Sequence, residues 1–147
     1  MDNNLIATRS IEIFAHLDKV WDALINPDKM KTYFFASEVK ADWKEDGELL
    51  LQVNKEGGSR EEKGKVLEYK PKESIKYKYW RDYKNQKEEN HTITSYQLEQ
   101  VTDASVKLTW SEEGFADEDQ KQRKEDELPQ ILNQIKLIVE KEEHGNQ

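Results

Sequence analysis

Apolar and polar residues alternate with period two along much of this chain. Leu5 to Phe14 is rich in β-branched residues, and Ile11 and Ile13 alternate there with Ser10 and Glu12, which predicts a first strand. Helical spacing follows. Val20, Trp21, Ala23 and Leu24 predict a short helix over Lys19 to Ile25, with Asp18 as its cap. Asn26-Pro27 ends that helix and begins another, about Asp28 to Phe34. Asn26 caps it, and Pro27 takes the first helical position, where a missing N–H costs nothing.

Alternation then returns in a succession of segments. Ser37 to Asp42 is one, and Gly47 to Asn54 another, with Leu49, Leu51 and Val53 on one face. Glu61 to Tyr69 follows, where Gly64 marks a bulge or a close approach. Ser74 to Trp80 sets Ile75, Tyr77 and Tyr79 against Lys76 and Lys78. Asn90 to Gln100 puts Thr92, Thr94, Tyr96 and Leu98 on one side, and Ser105 to Trp110 aligns Val106, Leu108 and Trp110. Glu56-Gly57-Gly58 predicts a hairpin turn, because adjacent glycines tolerate positive φ. Pro71-Lys72-Glu73 and Thr102-Asp103 are further turns, and Tyr83 to Glu89 is a polar loop.

The last segment differs. Ala116 to Glu127 is almost wholly polar and reads as a hydrated helix face or cap. Leu128, Ile131, Leu132, Ile135, Ile138 and Val139 then form a helical stripe. That stripe needs an apolar partner, and the sheet is the only large one available. The pattern predicts one α+β domain over residues 1–147, an antiparallel sheet closed against a long C-terminal helix.

Composition narrows the function classes. The 147 residues suit a single core. Charged residues are 37%, yet four Trp, six Tyr and four Phe are too many for a disordered tail, so the charge belongs to exposed faces. A net charge of -8 repels phosphate backbones and argues against a nucleic-acid partner; the interrupted basic stretch Lys63 to Lys78 reads as the polar side of two strands. The absence of cysteine excludes disulfides, thiolate catalysis and cysteine-ligated metals, and fits the cytoplasm. Met1-Asp2-Asn3-Asn4 lacks the basic and apolar regions of a signal peptide. No apolar run is long enough to span a membrane.

Few residues suggest catalysis. His16 has Asp18 nearby but no activated serine, so a surface histidine is the plainer reading. His91 begins a strand and His144 sits in a frayed tail; three scattered histidines form no metal signature. Glu68 would become an acid or base if a bulge turned it inward, since desolvation raises a carboxyl pKa. Facing solvent or pairing with a lysine is the alternative. Glu112 and Glu113 end the last strand, and Arg81-Asp82 reads as a solvated loop pair. No phosphate loop, dinucleotide fingerprint or nucleophile elbow occurs. Accordingly no catalytic residue, metal or cofactor is assigned.

Several stretches carry a resemblance. They are Ile11-Glu12-Ile13 leading into Lys19-Val20-Trp21-Asp22-Ala23-Leu24, Asn26-Pro27-Asp28, Asp42-Trp43 with Gly47, Gly64-Lys65-Val66-Leu67-Glu68-Tyr69-Lys70-Pro71, and Ile131-Leu132-Asn133-Gln134-Ile135-Lys136. In order and spacing the chain resembles the helix-grip proteins of the SRPBCC superfamily (the START and birch-pollen-allergen group). Within it, the chain is similar to homologues of the heat-shock protein 90 ATPase activator. The resemblance implies a curved sheet of strand, two short helices and six strands wrapped around a long helix. It also implies an apolar cavity between sheet and helix for a small hydrophobic or aromatic ligand. Inward candidates are Trp21, Phe35, Leu51, Tyr77, Tyr79, Tyr96, Trp110, Ile131 and Ile135; the plain alternative is that they fill the core. Two other functions stay open, a cyclase- or hydrolase-type enzyme using the same cavity, with Glu68 and Tyr96 to test first, and a chaperone partner, the least favoured. Pro129 falls where the family often has Trp near the start of the last helix. This predicts a kink or a helix start close to Leu128, and an interior more open or differently filled.

Overall fold

A computed structural model describes residues 5–55, 58–81 and 91–144. The first strand, β1 (Ile6–Ile13), leads into helices α1 (Leu17–Ile25) and α2 (Pro27–Phe34). Six strands follow: β2 (Ala36–Ala41), β3 (Glu48–Lys55), β4 (Gly58–Lys70), β5 (Ser74–Arg81), β6 (Thr92–Thr102) and β7 (Ser105–Glu113). Helix α3 (Glu118–His144) comes last. The strands form one antiparallel sheet in the order β1-β7-β6-β5-β4-β3-β2. β1 and β2 are therefore opposite edges, and α1 and α2 carry the chain between them. This is the helix-grip architecture that the resemblance implied.

One face of the sheet and one face of each helix share the core. Leu49, Leu51, Val66, Ile75, Tyr96, Val106, Leu108 and Trp110 from the sheet meet Val20, Leu24, Met30 and Tyr33 from α1 and α2. α3 contributes Leu128, Leu132, Ile135 and Val139. Each strand obeys period two, so the same alternation that hides these residues sends the lysines of β4 and β5 to the other face.

Local chemistry fixes the joints. Asn26 Oδ1 accepts a hydrogen bond from Asp28 N at 3.0 Å and caps α2, with Pro27 just behind it. Asp18 does not cap α1, contrary to the reading from sequence. The N-cap is His16, without a side-chain capping bond, and Asp18 pairs with Lys72 at 2.8 Å instead. The helix starts two residues earlier, at Leu17. Trp43 Nε1 donates to Ile25 O at 2.8 Å, while its ring stacks on Tyr69 with centroids 6.2 Å apart. This one indole ties the end of α1 to the loop before β3.

Gly64 is a close approach, not a bulge. A Cβ there would lie 2.8 Å from Lys78 O. The bulge of β4 falls between Val66 and Glu68, leaving Leu67 half-exposed. Gly47 is tighter still: a Cβ would sit 1.8 Å from Asp42 O, so only glycine closes that turn.

Helix α3 corrects one of the two alternatives at Pro129, the helix start near Leu128. It begins at Glu118, far before Leu128, and runs on through Pro129. The apolar stripe nevertheless starts at Leu128, and the polar first half is held by charge. Glu125 sits 3.4 Å from Arg9 on the edge strand β1, and Lys124 Nζ lies 3.6 Å from Glu112 Oε1 of β7. Side chains of α3 also serve the backbone around the end of β1: Lys136 Nζ donates to Glu12 O at 2.9 Å, and Glu140 accepts from Phe14 N at 2.8 Å. Such cover removes part of an edge that would otherwise invite strand pairing. His144 belongs to this helix and is not frayed, its Nε2 3.1 Å from Phe14 O. The expected turn at Glu56-Gly57, the loop Tyr83 to Glu89, the segment Met1 to Asn4 and, of the expected pair, Asp82 and the Arg81 side chain lie outside the described residues.

Candidate ligand-binding cavity

A cavity of about 290 Å³ opens between the middle of the sheet, the end of α2 and the first half of α3. Its volume is near the bottom of the range of about 300–1,000 Å³ typical of small-molecule pockets. The end of α2 supplies Tyr33 and Phe34, followed by Phe35; the strands supply Val53, Glu62, Tyr77, Tyr79, Thr94, Trp110 and Glu112; α3 supplies Lys124, Glu127, Gln130 and Ile131. The opening has a simple origin. Residues 118–127 are too polar to sink into the sheet, so α3 makes close apolar contact only from Leu128 onward.

Strand register builds the polar wall. Tyr77 is the partner of Thr94, and Thr94 of Glu112, so the three stand in one row across β5, β6 and β7. Ile75, Tyr96 and Trp110 form the next row. The Tyr77 and Tyr96 hydroxyls are 2.5 Å apart, and the Thr94 hydroxyl also bonds Tyr77. Thr92 Oγ1 donates to Glu112 Oε2 at 3.0 Å. Burial, above all, pushes the Tyr77 phenol above its ordinary range, and the charges of Glu112 and Glu62 push the same way against the Tyr96 hydrogen bond. Tyr96 and Tyr33 are raised for the same first reason. All three are neutral hydroxyls at neutral pH; Tyr33 spends its proton on Ala23 O at 2.9 Å.

Aromatic rings make the rest of the wall. Tyr77 and Tyr79 cross at 67° with centroids 6.1 Å apart, and Phe34 and Trp110 at 65° and 5.8 Å. Trp110 is almost wholly buried, and its Nε1 finds no hydrogen-bond partner among the described residues.

Of the sequence candidates, Phe35, Tyr77, Tyr79, Trp110 and Ile131 line this cavity. Phe35 stands at its outer edge, 59% exposed, because it caps α2 in the left-handed region with φ 54°. Tyr96 lies one layer deeper, behind Tyr77. Trp21 packs on Tyr69 at 5.7 Å, and Leu51 and Ile135 are buried in the core; none of these three borders the opening. Glu68 faces away: its side chain is 41% exposed and pairs with Lys70 at 3.3 Å, the bulge having displaced Leu67 and not the carboxylate. His16 holds Glu143 of α3 at 2.9 Å, a structural contact remote from the cavity.

Three polar lining residues of the strands were missed from sequence, as were Lys124, Glu127 and Gln130 of α3. Glu112 continues the phase of Val106, Leu108 and Trp110, and Glu62 that of Gly64 and Val66, so period two already put both carboxylates on the inner face. Thr94 was placed on the inner face but not named as a site. The cavity is thus less apolar than expected. Among the described residues no group of three or more His, Cys, Asp or Glu could hold a metal ion.

The family comparison agrees with this architecture. The sequence profile described as "Activator of Hsp90 ATPase homolog 1-like protein" matches residues 15–140. The chain belongs to that family, within the SRPBCC superfamily. A solution structure from Cytophaga hutchinsonii is 25% identical, with a TM-score of 0.82 over 99% of this chain and 100% of that one. A crystal structure from Nitrosomonas europaea is 15% identical, with a TM-score of 0.77 over 99% and 100%. The Aha1 dimer from Colwellia psychrerythraea is 17% identical, with a TM-score of 0.72 over 92% and 96%. At such identities the last two speak for the fold alone. No curated protein matches the chain in sequence. No helix of the described residues is long and apolar enough to cross a membrane.

Proposed function

We propose that this protein binds a small molecule in the cavity between the sheet, α2 and α3. The observation that carries the reading is the composition of one wall: aromatic rings surround a row of buried hydroxyl and carboxylate groups, Tyr77, Thr94 and Glu112. An apolar body against Phe34, Tyr79 and Ile131 supplies most of the affinity, and the polar row fixes orientation. The volume of about 290 Å³ suits a compact ligand. A chain without cysteines is compatible with a reducing compartment such as the cytoplasm. Amide spectra recorded against a library of small aromatic compounds test the proposal. Binding moves the resonances of Val53, Thr94 and Ile131 together; a library that leaves all three unmoved refutes it.

A catalytic reading rests on one observation, two carboxylates, Glu62 and Glu112, in the same cavity wall as the Tyr77 phenol. It predicts that Glu62→Gln or Glu112→Gln abolishes turnover of a bound ligand without abolishing its binding. Binding with no turnover in the parent protein leaves the binding role alone.

A further inference from the structure

We infer that β2 is the docking edge for a second copy of this chain, two β2 strands pairing antiparallel about Val39 and joining two sheets into one. The inference concerns the far edge of the sheet and is independent of what the cavity binds.

The two edges of the sheet are finished differently. At β1, side chains of α3 reach the backbone, Lys136 Nζ donating to Glu12 O and Glu140 accepting from Phe14 N. At β2, Asp42 N donates to Glu48 O at 3.0 Å, and the register continues this pairing as Lys40 with Leu50 and Glu38 with Gln52. In an antiparallel ladder, alternate residues turn both backbone groups to the same side. Glu38, Lys40 and Asp42 therefore spend theirs on β3, and Val39 and Ala41 point N–H and C=O away from it. The phase is consistent across β3, whose Gly47 O accepts from Val66 N of β4 at 2.8 Å. Among the described residues no strand lies beyond β2, and no side chain bonds the outward backbone of Val39 or Ala41.

An open edge alone names no partner; the charges beside it do. Glu38 and Lys40 share the outer face, 3.9 Å apart, with side chains 54% and 69% exposed. A two-fold pairing centred on Lys40 sets that lysine against its own copy and Glu38 against Asp42. One centred on Glu38 sets that glutamate against its own copy. Like charges directly opposite one another destabilise a strand pair. Centred on Ala41, the pairing runs off the end of the strand. Centred on Val39, Glu38 faces Lys40 of the second copy and Lys40 faces its Glu38, so one short sequence is complementary to itself. Val39 then exchanges both backbone bonds with its counterpart, as a symmetric interface requires. The same register brings Phe35, 59% exposed just before the strand, towards the Asp42-Trp43 segment of the second copy. The inner faces stay continuous, since Val39 is buried in the core of its own copy.

Sedimentation velocity on the full chain, from about 10 µM to about 1 mM at neutral pH and about 150 mM salt, tests the inference. At that ionic strength the net charge of -8 on each copy is largely screened, whereas adjacent Glu38–Lys40 pairs are screened less. A six-residue strand makes a small interface, so a dimer with a Kd of about 10–300 µM is expected. Glu38→Lys and Lys40→Glu each place like charges opposite one another twice and weaken the dimer about tenfold or more. Glu38→Lys combined with Lys40→Glu exchanges the signs and restores the Kd to within about threefold of the parent. Ala41→Pro removes an N–H that the single copy does not use in its own sheet, so the circular dichroism spectrum is kept while the dimer is weakened about tenfold or more. A chain that stays monomeric at about 1 mM overturns the inference. So does a dimer that the reversals leave intact or that the combined exchange fails to restore, because the copies then meet elsewhere. If a reversal fails to fold, Ala41→Pro decides, and an undiminished dimer in that variant refutes the β2 edge.

Discussion

The Tyr77–Tyr96 pair offers a test in which the structure dictates an asymmetry. The two hydroxyls are 2.5 Å apart and both side chains are buried. Their surroundings differ. Tyr77 also bonds the Thr94 hydroxyl, while Tyr96 has Tyr77 as its hydrogen-bond partner. Tyr96→Phe therefore removes one bond and leaves Tyr77 with Thr94, a cost of about 0.5–1.5 kcal/mol. Tyr77→Phe strands the Tyr96 hydroxyl in a site with 0% exposure, adding an unsatisfied-group penalty for a total of about 2–3 kcal/mol. The double variant removes both phenol hydroxyls, so the Tyr96 orphan disappears while the loss of the Thr94–Tyr77 bond is the same as in the Tyr77 single variant, and its cost falls below the sum of the single ones by about 1 kcal/mol or more. Urea denaturation of the four proteins, compared at equal m-values, gives all three quantities. Equal costs for the two single changes, or additivity within about 0.3 kcal/mol, would show that the pair contributes no coupled hydrogen bond and would refute the argument.

Other expectations follow from the same geometry. Tyr33, Tyr77 and Tyr96 all have phenol pKa values raised by burial, so their contribution is complete below about pH 10 and is lost as pH rises above it; stability should fall by about 1.4 kcal/mol per pH unit for each phenol, and Tyr33→Phe should make denaturation midpoints measured between pH 9 and 11 fall less steeply. Glu143 is held below the usual carboxylate range first by the His16 backbone N–H, and Glu140 by Lys136 and the Phe14 N–H against the opposing effect of burial. That clasp is present above the ordinary carboxylate range and lost as pH falls through the lowered values, so amide exchange at Phe14 and His16 should speed up below about pH 4 before the sheet opens. Gly64→Ala should destabilise by about 1–3 kcal/mol, because the clash at 2.8 Å with a backbone oxygen outweighs the entropy gained in the unfolded chain; a neutral or stabilising result in urea melts would contradict the close approach. Pro129→Ala should stabilise by about 1–3 kcal/mol, since it restores an N–H inside a continuous helix; an unchanged or lowered thermal midpoint would mean the helix is already relaxed around the proline.

Period-two alternation and the helical stripe from Leu128 were enough to read the order of elements, because both report which face of a local element is buried. Asn26 capping was legible for the same reason: its partner Asp28 is two residues away. The same phase rule placed Tyr77, Thr94, Trp110 and, unnoticed, Glu62 and Glu112 on the inner face. Where sequence reading failed, a distant partner decided. Asp18 had the chemistry of a cap, but Lys72 claimed it. His144 looked like a frayed end until Phe14 supplied an acceptor. A proline suggested a kink or a helix start; the start is ruled out, because contacts to Arg9 and Glu112 carry the helix ten residues further back, to Glu118.

By itself, then, the sequence determined which side of each strand and helix is buried, since that follows from spacing along a single element. Which inward residues touch one another, and which are left with room between them, was decided only by the tertiary structure. Inner-face membership separates neither Trp21 from Trp110 nor Leu51 from Tyr79. Only the register of seven strands and the charged seating of the first half of α3 open a space beside one of each pair and close the core over the other. The physical reason is that a cavity is a difference between two packed surfaces, and neither surface alone encodes it.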